Sequence, residues 1–357
     1  MRGDDPKAGP MYSYRMPEQR IPADHPLRAV RTMTERALSE LDPLFNRLYA
    51  KGGRPSVPPE QLLRALLLQL LYSVRSERLL MERLDYDLLF RWFVGLGPDD
   101  PVWDPTVFTK NRERLLRGEV AQAFFDAVLR QARERSLLSD EHFSVDGTLI
   151  EAWASHKSFR PKEQGPRGGT PAEGDFRGVP RRNDTHQSTT DPEARLYRKG
   201  NSQEARLSYL GHVLMENRSG LAIAGTITLA NGFAEREAAL ALLDQTRDMR
   251  GAHATLGADR AYDTADFVRD VRAAGLTPHV AQNTRNRRSA IDGRTTHHPG
   301  YTHSGFARRR IERIFGWLKT IGLLRKTRHR GRRRVGWLFT FGLAAQNLVR
   351  LRTLLAT

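Results

Sequence analysis

The chain has 357 residues, 39% of them hydrophobic, with no cysteine, and its 58 Lys and Arg against 41 Asp and Glu leave a net charge of +17. That length accommodates two or three domains, and the missing cysteine excludes disulfides, cysteine-ligated zinc and thiol chemistry. The basic surplus points to a polyanionic partner: nucleic acid first, an anionic membrane or an acidic protein after it.

Residues 1–25 read as a loose, polar, proline-rich tail, with Asp4 and Asp5 ahead of any apolar run, unlike a signal peptide. Apolar periodicity then predicts helices at Leu27–Ala50, Pro59–Val74, Ser76–Leu84, Tyr86–Val94, Val107–Leu116 and Val120–Arg135. Thr106, behind Pro105, is the expected N-cap of the fifth. The longest apolar stretches, Leu62–Val74 and Val335–Val349, fall short of the ~20 residues a bilayer requires. They also carry Arg64, Gln69, Gln346 and Asn347, so both read as buried helices and no membrane partner is expected.

The pattern changes near residue 140. Strands are expected at His142–Ile150, Ser208–Glu216 and Leu221–Leu229, the last two joined by the turn Asn217-Arg218-Ser219-Gly220. Then come a helix at Glu235–Met249, a strand at Ala254–Ala258, a helix at Thr264–Ala274 and a strand at His279–Gln282. Helices at Arg308–Gly322 and Val335–Leu355 follow. This order predicts an α/β fold, a ribonuclease H-like mixed sheet flanked by helices, after an all-α N-terminal region. The domains expected are a helical 26–135 and a catalytic 140–357. A stretch at about 155–195, rich in Gly, Pro, Arg, Asn and Thr, reads as an insertion that is disordered or ordered by DNA.

Three acids stand out. Asp146 lies inside the apolar strand Phe143-Ser144-Val145-Asp146-Gly147-Thr148, where a carboxylate is costly unless exposed, paired or bound to metal. Asp259 ends Thr255-Leu256-Gly257-Ala258-Asp259, and strand ends are where open sheets build sites. Glu312 sits beside the stripe Ile311, Ile314, Phe315, Leu318, with Arg308 and Lys319 on its side of the predicted helix. In a ribonuclease H order the two aspartates fall on neighbouring strands. Taken singly, each acid also reads as a turn residue, a helix cap or a surface ion pair. Two-metal phosphoryl transfer needs such hard oxygen ligands on adjacent rigid elements.

From Arg308 to Arg334 there are twelve basic residues and one acid, Glu312. Arg325, Lys326, Arg328, His329 and Arg330 are candidates for phosphate contact. Thr106–Leu116, with Thr109, Lys110, Asn111, Arg112 and Arg114, reads equally as a major-groove helix or as an amphipathic packing helix. Trp317 and Trp337 read as core, and His297, His298 and His303 as solvated loop residues.

With these residues the chain resembles bacterial insertion-sequence transposases of the type-five family, the acid-triad class. The likeness runs from about Leu62 to Leu354. Besides the strand around Asp146, it is carried by Asp85-Tyr86-Asp87-Leu88-Leu89-Phe90-Arg91-Trp92-Phe93-Val94-Gly95-Leu96, by Leu207-Ser208-Tyr209-Leu210-Gly211-His212-Val213-Leu214-Met215-Glu216-Asn217, by Gly257-Ala258-Asp259-Arg260-Ala261-Tyr262-Asp263-Thr264, and by Lys326-Thr327-Arg328-His329-Arg330-Gly331. In the family's terminal Tyr, Arg, Glu, Lys signature, Arg308, Glu312 and Lys319 match in spacing, while Gly305 stands at the tyrosine position and Tyr301 is out of step.

The resemblance implies a DNA transposase with Asp146, Asp259 and Glu312 as catalytic, metal-binding triad and two Mg²⁺ (or Mn²⁺) ions. It implies cleavage at the element ends followed by joining of the freed 3′-hydroxyl to target DNA. Arg308 and Lys319 would hold scissile phosphates, with Arg260 assisting. The partners implied are double-stranded DNA, as terminal inverted repeats and target, and further copies of the chain in a homodimer or larger synaptic complex. A bacterial cytoplasmic, nucleoid-associated location follows. The alternatives are a nuclease of the same fold without strand transfer and a catalytically silent DNA-binding relic or repressor.

Overall fold

The computed structural model describes residues 16–50, 52, 56–162, 181–198, 200 and 204–356. Its N-terminal part is helical: α1 (Pro17–Arg20), α2 (Pro26–Ser39), α3 (Asp42–Leu48), α4 (Pro59–Leu71), α5 (Glu77–Tyr86), α6 (Leu88–Val94), α7 (Pro105–Arg117) and α8 (Val120–Glu134). The single helix expected over Leu27–Ala50 is two. Pro43 has no N–H to give, and its ring would collide with the Ser39 carbonyl, so the chain restarts at Asp42. The cap of α7 is Asp104 and not Thr106: its carboxylate accepts from the Thr106 N–H at 2.7 Å, and Pro105 takes the first helical position. The end of the expected tail is also ordered, because Glu18 pairs with Arg28 and accepts from the Trp92 indole. Residues 1–15 lie outside the described residues.

The second part contains β1 (His142–Glu151), β2 (Phe159–Pro161), β3 (His186–Ser188), β4 (Arg195–Tyr197), β5 (Arg206–Glu216), β6 (Ala222–Leu229), α9 (Ala234–Gln245), β7 (Thr255–Ala258), α10 (Ala265–Ala273) and β8 (Thr277–Val280). Four helices close the chain: α11 (Gly293–Thr296), α12 (Pro299–Arg308), α13 (Ile311–Thr320) and α14 (Arg332–Leu355). In the sheet, β1 is central. It pairs antiparallel with β5, which pairs antiparallel with β6 and β4, and parallel with β7, which pairs parallel with β8. This is the ribonuclease H-like strand order the sequence predicts.

β1 and β5 are buried almost end to end because helices cover both faces of the sheet. On one face α14 comes so close that a Cβ on Gly211 would lie 2.7 Å from Phe339, and one on Gly225 2.3 Å from Leu343. The same helix lies against α8 and α2, so helical part and sheet share one core. Trp337 belongs to it, stacked on Phe341, and Trp317 packs at its edge.

Both flanks of the expected insertion are structured. β2 and β3 form a small hairpin-like pair, β4 joins the main sheet, and Asp191, fully buried, accepts from the Tyr209 hydroxyl at 2.7 Å and from the Gly331 N–H at 3.2 Å. Hydrogen bonds to the fold order this polar segment, and apolar patterning cannot report them. Residues 163–180, the middle of the insertion, lie outside the described residues.

The helix expected over Arg308–Gly322 is broken. Arg309 and Arg310 form tight i→i−3 turns between α12 and α13, as Glu312 N–H to Arg309 O at 3.3 Å shows. Arg308 thus ends one helix while Glu312 and Lys319 lie on the next, so the single helix side expected to carry all three is interrupted.

Candidate active site

The β1–β7 register pairs Ser144 with Gly257, so two residues further on Asp146 stands level with Asp259. Asp259 remains extended (φ −78°, ψ 176°), and adjacent strands lie about 4.8 Å apart. Side chains alternate along a strand, which puts both carboxylates on the face that Ser144 and Gly257 share. The end of α12 covers that face: a Cβ on Gly257 would lie 3.7 Å from the Arg308 Cβ. Asp146 is 6% exposed, whereas Asp259 is half-buried and its carboxylate caps the turn Arg260–Tyr262 by accepting from the Ala261 N–H at 2.8 Å. Exposed Arg260 follows directly.

Glu312 is exposed in the first turn of α13, off the buried stripe of Ile311, Ile314, Phe315 and Leu318. Helix α13 packs on β1. Among the described residues, however, no three His, Cys, Asp or Glu side chains form a group that would hold a metal ion. The structure therefore brings Asp146 and Asp259 together and does not place Glu312 in such a group with them.

Two acids near the pair escape sequence reading. Burial pushes the Tyr262 phenol well above its ordinary range, and the charges of Glu235, Asp146 and Asp259 push it further, opposed by Arg236. Hard carboxylate oxygens are the donors a divalent cation such as Mg²⁺ takes, and Asp146 and Asp259 are the two that the register levels. Glu235 begins α9, and its Oε1 would lie 3.0 Å from a Cβ on Gly147, the residue after Asp146. No motif marks Glu235; only the return of α9 across the sheet brings it here. Asp263, 1% exposed, accepts from the Asn283 N–H at 2.6 Å and the Ala290 N–H at 2.8 Å, fixing the long loop beyond β8.

The basic candidates divide. On α7, Thr109 and Arg112 turn inward to Glu77 of α5, and Arg112 also meets Glu113 at 3.2 Å, with its side chain 11% exposed. Asn111 accepts from Ser56 Oγ at 2.5 Å. That face of α7 packs; Lys110 and Arg114 stay exposed, with Arg114 over the Tyr49 ring. Lys326 pairs with Glu151 at 3.1 Å beside β1, and Arg325 is exposed next to it. Arg328, His329 and Arg330, together with Arg75 and Arg334, line a 520 Å³ cleft between the helical part and the loop that precedes α14. Burial first, then neighbouring Arg112, pushes the His329 imidazole down to about 4, so it enters this cleft neutral. His298 caps α12 by accepting from the Gly300 N–H at 3.1 Å.

A ribonuclease H-like sheet with level strand-borne aspartates, behind a helical region, defines the class. The chain belongs to the DDE transposases: residues 137–348 match the Transposase DDE domain family, and residues 15–114 match the Transposase domain (DUF772) family. No curated protein matches the chain. Among solved structures, the piggyBac transposase synaptic complex with hairpin DNA is 10% identical with a TM-score of 0.43, covering 93% of this chain and 76% of that one. The Mos1 transposase paired-end complex with left transposon end is 11% identical with a TM-score of 0.21, covering 88% and 87%. No helix among the described residues is long and apolar enough to cross a membrane.

Proposed function

We propose that this DNA transposase cleaves at the ends of its own insertion sequence and joins the freed 3′-hydroxyl to target DNA. The observation that carries this reading is the register that levels Asp146 with Asp259 on one face of the sheet. Asp146 and Asp259, with Glu312 as third acid, would hold Mg²⁺ or Mn²⁺, two ions in all. Divalent ions supply nucleophile activation and charge neutralisation in phosphoryl transfer.

The chain's own groups do the positioning. Arg308, over β7 beside the carboxylates, and Arg260, in the turn after Asp259, hold the scissile phosphate by charge-assisted bonds. Lys319 belongs to the same set, on α13. Arg325 and Lys326 continue the basic track along β1, and Arg328, His329 and Arg330 carry the strand into the cleft. The helical residues 26–135 bind the element end, with Lys110 and Arg114 as the outward cations of α7 and Arg112 as its anchor. The catalytic region is 140–357. Excision needs two ends together, so the working form is a homodimer or larger synaptic complex acting in the bacterial nucleoid.

Duplex DNA from the flanking genomic repeats, incubated with Mg²⁺ or with EDTA, tests this. Cleavage and joining are expected with Mg²⁺ alone, abolished by Asp146→Asn while DNA binding persists. Cleavage of intact ends with no joining of pre-cut ends to target DNA identifies a nuclease; DNA-dependent activity untouched by Asp146→Asn refutes the site.

A further inference from the structure

Helix α7 has two faces of different chemistry. Inward, Phe108 and Leu115 are fully buried, and Thr109 and Arg112 turn to Glu77. Asn111 is committed as well: its Oδ1 accepts from Ser56 Oγ at 2.5 Å and its Nδ2 donates to the Val107 carbonyl at 2.9 Å. Side chains of these types pair with base edges, and here the protein itself occupies them. Outward, at spacings i, i+4 and i+7, stand Lys110, Arg114 and Arg117, each exposed. They line a 380 Å³ groove beside Leu48. Seven residues of helix span about 10 Å. Glu113, in the same lining, is already paired with Arg112 at 3.2 Å and Arg334 at 2.7 Å. The Arg114 guanidinium is held over the Tyr49 ring, 4.6 Å from its centroid. The line of charge continues past the end of α7. Arg333, exposed in the first turn of α14, donates through Nη2 to the Arg117 carbonyl, so the helical part and the catalytic region meet at this point. A guanidinium has five N–H groups, and one bond to a carbonyl leaves it able to hold a phosphate.

We propose that Lys110, Arg114, Arg117 and Arg333 form one ridge that follows the sugar-phosphate backbone of duplex DNA and binds it whatever its base sequence. Helix α7 then lies along the backbone and does not read the major groove. A row of cations whose neutral hydrogen-bonding neighbours are turned inward suits phosphates, which position DNA, and not base edges, which specify it. Because Arg333 belongs to the catalytic region, the ridge ties a bound duplex to both parts of the chain. The inference rests on the reading that the helical part binds the element end, and it names the part of the DNA that α7 holds.

The test uses the full-length chain in EDTA and fluorescence anisotropy over a range of salt concentrations. The probes are a duplex from the flanking genomic repeat and a scrambled duplex of equal length. Lys110→Gln, Arg117→Gln and Arg333→Gln are each expected to reduce the slope of log affinity against log salt by about 0.9. Each should weaken both duplexes by the same factor, leaving the ratio of the two affinities at its wild-type value. Arg333→Lys keeps the charge and should keep the slope. A wild-type slope in Arg117→Gln or Arg333→Gln overturns the ridge; if Lys110→Gln still lowers the slope, the helical part remains the end-binding region. Wild-type slopes in all three overturn both. A slope lowered in Arg333→Lys as much as in Arg333→Gln assigns Arg333 to the joint with Arg117 and removes it from the DNA. Affinity lost for the repeat duplex alone means that α7 reads bases, and overturns the proposal.

Discussion

His212 makes the stability of this fold depend on pH in a calculable way. It is fully buried on β5 opposite Gly147, its Nε2 is hydrogen-bonded to Thr228 Oγ1 at 2.7 Å, and its Nδ1 has no hydrogen-bond partner among the described residues. Burial pushes its pKa from 6.5 down to about 4. Between those values the unfolded chain binds a proton that the folded chain refuses, so stability is full above pH 6.5 and falls as the pH drops toward 4. For one such group, linkage gives a loss of about 2 kcal/mol on going from pH 7 to pH 5, a sizeable part of a total of about 5–15 kcal/mol. Urea midpoints at pH 7 and pH 5, for wild type and His212→Asn, isolate this contribution. The variant is less stable at pH 7, where it loses packing, but its stability should fall by about 2 kcal/mol less between the two pH values. Equal losses in both proteins refute the reasoning and mean that nearby Glu235 compensates the imidazolium.

Three more expectations follow from the packing and the basic track. Gly225→Ala puts a methyl 2.3 Å from Leu343 Cδ1 of α14, so the urea midpoint should fall by an equivalent of about 1–3 kcal/mol; an unchanged midpoint means α14 is not seated on β6 as described. Tyr209→Phe takes away the bond at 2.7 Å from a fully buried Asp191. A cost of about 1–3 kcal/mol is expected in the same assay, and none at all would show the β3–β4 segment detached from β5. Replacing Arg328 and Arg330 together by Ala should reduce the slope of log affinity against log salt for duplex DNA by about 2 if both meet phosphates. A parallel line would place the DNA elsewhere than the cleft.

The sequence by itself determined the elements and most of their order. Periodicity of 3.6 and 2 residues is a local consequence of burying one face, so the helices of the N-terminal part and the β1, β5, β6 and β7 strands are legible in the chain. Asp146 inside apolar β1 stands out because a carboxylate there is energetically out of place, and Asp259 because strand ends are where open sheets build sites. Local rules also explain the break at Pro43 and the helix start at Asp104-Pro105, though periodicity alone passed over the first and set the second two residues late.

Only tertiary structure decided which side chains meet. Strand register set Asp146 level with Asp259, and the fold of the chain between β6 and β7 brought Glu235 to Gly147. Arg112 looks like a groove-reading cation until Glu77, 35 residues earlier in sequence, turns it inward. Polar Asp191 joins the core through a tyrosine on β5 and a backbone amide before α14. Contacts of that kind depend on the separation of residues in space, and hydrophobic pattern records only which face of each element is buried.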